Sequence, residues 1–273
     1  MILKKATRKK VYLRLNLSAP SGAGKTMSAL LMAYGITNDW GKIAVIDTEN
    51  GSASLYSHLG DFNVIDLEPP FSPERYIECL NQCVSAGMEV IIIDSSSHEW
   101  SGQGGCLELN EKLAQAKYKG NTWSAWNETT PRHDSFVNAV LQSRAHIITC
   151  TRSKMETILD GNRVKKVGMK DIQREGWEYE LTVSLTIDRD THMATASKDR
   201  TNLFNTDPFI ISADTGKLIK QWCEQGEEVK LPELTTDNPH FEAMKVALAE
   251  GKRTMQQLEQ KYSISNEVKE LLQ

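Results

Sequence analysis

The fold of this chain is decided by the stretch Ala19-Pro20-Ser21-Gly22-Ala23-Gly24-Lys25-Thr26. Before it, residues 11–17 alternate Leu, aromatic and β-branched side chains with polar ones, which predicts a strand. After it, residues 27–35 are strong helix formers that end at Gly35, which predicts a helix. A glycine-rich turn in this position lets backbone N–H groups point toward phosphate groups, and the helix N-terminus favours their negative charge. The stretch therefore fits the phosphate-binding P-loop, with Ala19 where the first Gly usually stands.

The side chains of this loop point to a nucleoside triphosphate with Mg²⁺, and ATP is the expected ligand. Lys25 supplies positive charge to the phosphates, and the Thr26 hydroxyl is expected to ligate Mg²⁺. The residues expected to bind the nucleotide are Pro20, Ser21, Gly22, Ala23, Gly24, Lys25, Thr26 and Met27.

Two acids that nucleotide hydrolysis requires follow apolar, strand-like runs. Residues 90–93 lead directly into Asp94, which is expected to anchor the metal through water. Residues 43–46 lead into Asp47-Thr48-Glu49, so Glu49 lies just beyond a second strand end and is expected to orient or deprotonate the attacking water. Asp47 and Glu99 remain alternatives for this base.

The alternation of strand-like runs with helix-like segments predicts an α/β fold with a mostly parallel central sheet covered on both faces. A further strand-like run lies at 147–150, and helix-like segments lie at about 74–86, 107–117 and 131–143. Pro131 stands in the favoured first turn of the last segment.

The pattern changes toward the C-terminus. Strand-like runs at 179–187 and 193–197 flank a polar turn and predict an antiparallel hairpin added to the sheet. The expected organisation is a P-loop core over 1–225, a polar linker over 226–238 and a small helical region over 239–273.

The composition excludes several protein classes. With 273 residues, 40% of them hydrophobic, and 36 acidic against 32 basic side chains, the chain can bury a sizeable core and is neither disordered nor a wholly basic nucleic-acid coat. No run reaches the ~18 apolar residues of a membrane helix, and no signal peptide is recognisable, so a cytoplasmic protein without a membrane partner is expected. Five irregularly spaced cysteines argue against a disulfide framework.

Positive charge is concentrated in two stretches. Residues 4–14 hold six basic side chains and no acidic one, and residues 152–174 hold seven basic against three acidic side chains. A solvated surface is the alternative interpretation of such runs.

Four separated motifs occur in a fixed order along the chain: the P-loop, the strand ending Ile46-Asp47-Thr48-Glu49, the acid in Ile93-Asp94-Ser95 and the late Ser197-Lys198-Asp199-Arg200. In this order they resemble the core of RecA- and RadA-type ATPases. Within about 4–205, a second set of residues is more specific: Asp94-Ser95-Ser96-Ser97-His98-Glu99-Trp100, Gly102-Gln103-Gly104-Gly105, Gly120-Asn121-Thr122, Trp126 and Thr151-Arg152-Ser153-Lys154. Through these residues the chain is similar to the phage-borne RecA-like single-strand-annealing ATPases of the Sak-four type, also called phage AAA-family ATPases.

The resemblance implies a DNA-stimulated ATPase of phage or prophage origin that works in a bacterial host. It would anneal or pair single-stranded DNA as a homo-oligomer, with a single-strand-binding or other recombination protein as a further partner. Two loops, residues 97–105 and 153–176, would contact the DNA. The residues expected to do so are Trp100, Lys154, Arg163, Lys165, Lys166 and Lys170. Trp123 and Trp126 are expected to be core or partly buried side chains instead.

Three basic residues gain catalytic roles from the same resemblance. Arg152, directly after the strand at 147–151, would sense the γ-phosphate, and the alternative is a simple surface arginine. Lys198 and Arg200 would reach the γ-phosphate held by a neighbouring subunit. Their alternative is a charge pair that protects an edge strand from aggregation.

Two other functions remain open. A P-loop kinase for a small molecule would use residues 152–174 as a lid, although the hairpin that follows is not expected of such kinases. A nucleotide-dependent module would instead recruit a replication or recombination partner through its C-terminal tail.

Overall fold

The computed structural model describes residues 5–160, 163–204, 207–227, 231–253, 255–259 and 261–272, and the side chains of residues 158–160, 163–167 and 256 lie outside this description. Over this part of the chain, strands form in the order β3-β2-β4-β5-β1-β7-β8, with β6 paired to β5 alone. The strands are β1 (Arg14–Ala19), β2 (Ile43–Asp47), β3 (Asn63–Asp66), β4 (Val90–Asp94), β5 (His146–Asp160), β6 (Arg163–Asp171), β7 (Val183–Ile187) and β8 (Ala194–Asp199).

The central sheet is parallel except at one edge. Strands β1, β2, β3, β4, β5 and β7 pair in parallel, and β8 runs antiparallel to β7. The predicted α/β fold with a mostly parallel sheet and an added antiparallel hairpin is confirmed. Strand β3 is short and half-exposed, and its weak apolar signal explains why the sequence did not predict it.

Helices cover both faces of the sheet because alternate residues of each buried strand point to opposite sides. In β4, Val90 and Ile92 join one buried cluster, whereas Ile91 and Ile93 join the other. The α-helices up to residue 224 are α1 (Lys25–Thr37), α2 (Pro73–Ser85), α3 (Ser97–Ser101), α4 (Cys106–Lys117), α5 (Thr122–Gln142), α6 (Trp177–Glu180) and α7 (Ala213–Glu224).

Two of these helices differ from the sequence-based prediction. Helix α5 begins at Thr122 rather than at Pro131, because the Asn121 side chain caps it by accepting a hydrogen bond from the Ser124 backbone N–H at 3.1 Å. Pro131 therefore lies inside the helix. The predicted strand at 179–187 is divided into the short helix α6 and strand β7.

The two segments expected to be DNA-binding loops both contain regular structure. Helix α3 occupies the first part of 97–105. In the second segment, β5 extends beyond the sheet and pairs antiparallel with β6, from Ser153 opposite Asp171 to Asp160 opposite Arg163. We call this pair of strands the basic hairpin. The prediction of a loop, which came from the resemblance, was wrong here because the segment pairs as two antiparallel strands.

The chain divides into two compact units, Val11–Cys223 and a second unit formed by Met1–Lys10 with Glu224–Gln273. In the described part of the second unit, the Lys10 backbone N–H donates to Glu227 O at 3.0 Å, which ties the two chain segments together. Its helices are α8 (Phe241–Ala249), α9 (Met255–Glu259) and α10 (Asn266–Leu272).

This division differs from the expected one at two places. Residues 5–10 group with the C-terminal segment rather than with the core. Leu234, within the expected linker 226–238, is fully buried beside Phe241 and Leu258. None of the helices that the structure describes has the length and hydrophobicity required to cross a membrane.

Candidate active site

The polar residues predicted at strand ends lie close together because neighbouring parallel strands reach their C-terminal ends on the same side of the sheet. We call this side, where the P-loop also lies, the nucleotide edge. The strand register aligns Asp47 with Asp94, Asp94 with Cys150, and Ala19 with Arg152. The loop that connects β1 to α1, the two acidic strand ends and Arg152, which pairs with the last residue of β1, therefore share one edge.

The P-loop has the backbone that its glycines predict. Gly22 and Gly24 have φ values of 81° and 90°, in the left-handed region that other residues avoid. A Cβ atom at Gly22 would meet no atom within 4 Å, so the conformation rather than space requires glycine there. Helix α1 begins directly after Gly24, and its N-terminus faces the loop.

Lys25 is folded against this loop. Its buried Nζ donates hydrogen bonds to the carbonyl oxygens of Ala19 and Pro20, each at 3.0 Å. The ammonium group therefore lies beside the backbone turn that fits phosphate groups.

Thr26 and Asp94 are joined directly. The Thr26 hydroxyl donates to Asp94 Oδ2 at 2.5 Å, and Asp94 is only 2% exposed. Burial raises the pKa of Asp94 to about 6, and the charges of Glu49 and Asp47 add to this effect, against the opposing hydrogen bond from Thr26 and the charge of Lys25. A hydroxyl and a buried carboxylate are hard oxygen ligands, so this pair fits Mg²⁺.

Glu49 and Arg152 form an ion pair at the same edge. Arg152 Nε donates to Glu49 Oε1 at 2.8 Å, and the two side chains are 39% and 22% exposed, respectively. Burial raises the pKa of Glu49, but the hydrogen bond and charge of Arg152, with the charges of His98 and Lys25, outweigh burial and lower it overall. Glu49 is therefore ionised near neutral pH, as a general base must be.

The alternative bases are engaged elsewhere. Asp47 accepts hydrogen bonds from the backbone N–H groups of Glu49 at 2.6 Å and Ala53 at 2.7 Å, and so shapes the turn after β2. Glu99 is fully buried and accepts from His133 Nδ1 at 3.0 Å. Among the three acids, the geometry favours Glu49 as the one with a partly exposed carboxylate.

Glu99, Cys106 and His133 bring three metal-ligating groups within 4.8 Å of one another. Cys106 Sγ donates to Glu99 Oε1 at 3.1 Å, and burial raises the pKa of this thiol so that it keeps its proton. Hydrogen bonds among the three groups satisfy each of them. We interpret this set as a buried polar network that joins α3, α4 and α5.

Two histidines near the site were not assigned a role from the sequence. His192, in the turn between β7 and β8, lies with Nδ1 at 3.2 Å from the carbonyl oxygen of Ala23 in the P-loop. His98 Nδ1 lies 2.7 Å from the hydroxyl of Thr48, which also accepts from the Ser95 backbone N–H at 2.8 Å. The contact of His192 depends on the pairing of β7 with β1, and no local sequence signal reports it.

Lys198 and Arg200 lie at the opposite end of the edge strands. Strand β8 runs antiparallel to β7, so its C-terminal end, with Lys198 and Arg200, lies on the side of the sheet opposite the P-loop. Lys198 Nζ donates to Glu178 O at 2.7 Å, and Arg200 Nη2 donates to Tyr179 O at 2.9 Å. Both cations therefore satisfy carbonyl groups at the C-terminus of α6 within their own chain.

The residues expected to contact DNA are spread over α3 and the basic hairpin. Trp100 on α3 stacks on Trp126, with ring centroids 5.5 Å apart. Lys154 is exposed on β5, and Lys170 on β6 pairs with Glu156 at 3.1 Å. The side chains of Arg163, Lys165 and Lys166 lie outside the described residues, although their backbone belongs to β6.

Comparison with known proteins gives one family match. A family model described as an AAA domain matches residues 12–211, a span that includes the P-loop, both acidic strand ends and the hairpin of β7 and β8. A search of curated proteins finds no match. From the match over most of its length, together with the geometry of the P-loop and of Asp94, we conclude that the chain belongs to the AAA domain family of nucleotide-binding P-loop ATPases.

Proposed function

We propose that this protein is a DNA-stimulated ATPase that acts on single-stranded DNA in phage recombination, by annealing or strand pairing, as a homo-oligomer with a RecA-like core. The observation that carries the proposal concerns Arg152. Its side chain binds Glu49 at the nucleotide edge, and its backbone leads directly into the basic hairpin. One strand thus connects the expected γ-phosphate position to a hairpin whose sequence is rich in basic residues.

The site supports hydrolysis through the following division of roles. Lys25 and the backbone N–H groups of the P-loop bind the phosphates of ATP. Thr26 and Asp94 would hold Mg²⁺, which would supply positive charge to the transferred phosphoryl group. Glu49 orients or deprotonates the attacking water.

Arg152 controls when Glu49 is free to act. The Arg152 guanidinium binds Glu49 through Nε at 2.8 Å, and a γ-phosphate that binds the same cation would compete with Glu49 for it. A γ-phosphate carries more negative charge than a carboxylate, so it competes for Arg152 and releases Glu49 toward the water. The backbone N–H of Arg152 also donates to Ser97 Oγ at 2.9 Å, which links the same movement to α3.

The basic hairpin supplies charge for the DNA backbone. Lys154 is exposed, and the sequence adds Arg163, Lys165 and Lys166 on the same two strands. Contacts between such side chains and phosphates release counterions and bind single strands without regard to sequence.

The deciding experiment measures ATP hydrolysis by the full chain with single-stranded DNA, with small phosphate acceptors, or with neither. Stimulation by single-stranded DNA supports the proposal. Phosphoryl transfer to an acceptor would instead indicate a small-molecule kinase with the hairpin as its lid. Slow hydrolysis that responds to neither would indicate a module that recruits a partner.

A second experiment tests the hairpin as the DNA-binding surface. The double variant Lys165→Ala, Lys166→Ala should weaken single-strand binding and reduce the slope of log K against log salt by about one for each lost phosphate contact. The matched control replaces two exposed lysines on α4 and α7, Lys112→Ala and Lys217→Ala, and should keep the slope of the unmodified protein. An unchanged slope in the hairpin variant would contradict this assignment.

A further inference from the structure

Three tryptophans meet at one pocket beside the basic hairpin. Trp100 on α3 and Trp123 and Trp126 on α5 line a cavity of about 610 Å³. Trp100 and Trp126 stack with an angle of 19° between their ring planes, and Trp123 is 84% exposed. The other residues that line the cavity are Asn127, Thr130, Pro131, Arg174 and Glu175.

The exposure of Trp123 was not expected from the sequence, and it has no explanation in the packing of the core. An indole offers ~150–250 Å² of largely apolar surface, which stabilises a fold only when it is buried. Exposed aromatic rings that line a concave surface are typical of a site for a flat, apolar ligand.

A cation stands at the rim of this pocket. Arg174 follows β6, at the end of the basic hairpin, and lines the cavity. Its Nη1 lies 3.3 Å from Asp134 Oδ1, and its Nη2 donates to the Thr130 hydroxyl at 3.3 Å. These contacts are long, and the Arg174 side chain is one-third exposed, so it remains accessible to an anion. Glu175 is the acidic residue among those that line the pocket.

The floor of the pocket is held by buried polar groups. Glu99, which precedes Trp100, binds His133 on α5 at 3.0 Å. Gln173, which precedes Arg174, donates from Nε2 to the Ser96 carbonyl oxygen at 3.0 Å. These bonds fix α3, α5 and the end of the hairpin together. Trp100 and Trp126 also stack on each other, so these two rings are ordered before a ligand arrives, and binding loses little of their side-chain entropy.

We propose that the pocket of Trp100, Trp123, Trp126 and Arg174 is a subsite for an unpaired base of single-stranded DNA. The base stacks on the indole rings, and Arg174 binds the phosphate next to it. This inference rests on the proposed function and names the part of the surface that recognises the bases. The cation at the rim and the continuity with the basic hairpin favour a nucleotide over an uncharged peptide.

The test measures how tightly the full chain binds two single-stranded DNAs. One is oligo(dT) of about 20 nucleotides, which is longer than the ~4–16 nucleotides of typical single-strand sites, and the other is an abasic DNA strand of equal length. Trp123→Ala should weaken oligo(dT) binding by about 5- to 150-fold, the usual range for the loss of one stacked base, and should leave abasic binding unchanged. Trp123→Phe should retain most of the affinity because it keeps a stacking surface.

Two further variants complete the design. Arg174→Gln should weaken binding of both strands and lower the salt slope by about one, because it removes a phosphate contact. The matched control is Leu55→Ala, which truncates another strongly exposed apolar side chain and should change neither affinity. Because Trp123 is mostly exposed, its replacement should also preserve the unfolding temperature.

Each other outcome overturns the subsite. Equal weakening of both strands in Trp123→Ala would show a structural effect in place of stacking. Unchanged oligo(dT) affinity would refute the subsite while the proposed function stands. Capture of a proline-rich peptide that Trp123→Ala abolishes, with oligo(dT) binding unaffected, would reassign the pocket to a protein partner. If the unmodified protein binds no single-stranded DNA, the subsite and the proposed function both fail.

Discussion

Replacing Glu49 by Gln tests the chemistry of the site most directly. Glu49→Gln should remove most ATP hydrolysis and leave ATP binding intact. The carboxylate of Glu49 is ionised near neutral pH because the charge and hydrogen bond of Arg152 outweigh its burial, whereas a Gln amide cannot accept a proton from water. The substitution otherwise preserves the size of the side chain and one oxygen that accepts hydrogen bonds.

The expected loss of activity is much larger than the expected loss of stability. A general base contributes ~10²–10⁴ in rate, which corresponds to about 3–5 kcal/mol. The ion pair of Glu49 with Arg152 has an N–O distance of 2.8 Å, but the side chains are 22% and 39% exposed. A pair that is this accessible to solvent contributes about 0.2–1 kcal/mol, and Gln retains an oxygen that accepts from Arg152 Nε. The unfolding temperature should therefore fall by about 4 °C at most.

The assay is single-turnover hydrolysis with saturating ATP and Mg²⁺, with and without single-stranded DNA, alongside the equilibrium affinity for a fluorescent ATP analogue. The control is Glu111→Gln, which makes the same change on the exposed face of α4 and should hydrolyse ATP normally. Normal turnover in a folded Glu49→Gln protein would refute the reasoning. Asp47→Asn and Glu99→Gln would then identify the base.

Three further predictions address the rest of the site. Lys25→Ala should abolish hydrolysis while the fold persists by circular dichroism, because the buried ammonium is lost from the phosphate loop, and normal turnover would remove the P-loop assignment. Asp94→Asn should stabilise the nucleotide-free protein by up to about 3 kcal/mol at about pH 8, because burial raises the pKa of Asp94 from 3.8 to about 6 and ionisation above that pH disfavours the fold. This gain should shrink toward about pH 5, where the folded carboxyl regains its proton, and calorimetry that finds the same gain at both pH values would contradict the argument. If the active site is shared between subunits, a Lys198→Ala, Arg200→Ala protein mixed with Lys25→Ala should regain part of the hydrolysis that each lacks alone; a mixture that stays inactive although the two co-assemble would refute sharing.

Local patterns were sufficient to predict the fold class and the nucleotide edge. The P-loop requires positive φ at Gly22 and Gly24, and only a few residue types allow this, so the motif is visible in eight consecutive residues. Asp94 is equally visible because it directly follows four apolar residues of a buried strand. Both features depend on residues that are adjacent in the sequence, so they can be predicted from the sequence alone.

Partnerships between distant segments required the tertiary structure. The ion pair of Glu49 with Arg152 joins residues 103 positions apart, and the contact of His192 with Ala23 joins residues 169 positions apart. The alternation of residues along a strand tells which side chains share a face, but it does not tell which strand lies next to which. The order of β2, β4, β5, β1 and β7 across the sheet decided these contacts.

Burial of polar and aromatic side chains was also decided by tertiary packing. Sequence reasoning kept Glu99 as a candidate base and treated Trp123 as a core or partly buried residue, yet Glu99 is fully buried and Trp123 is 84% exposed. Glu99 can be buried because His133 and Cys106, from two other helices, satisfy its carboxylate. Residue type sets the cost of burial, but the partners that offset this cost exist only once helices α3, α4 and α5 have packed.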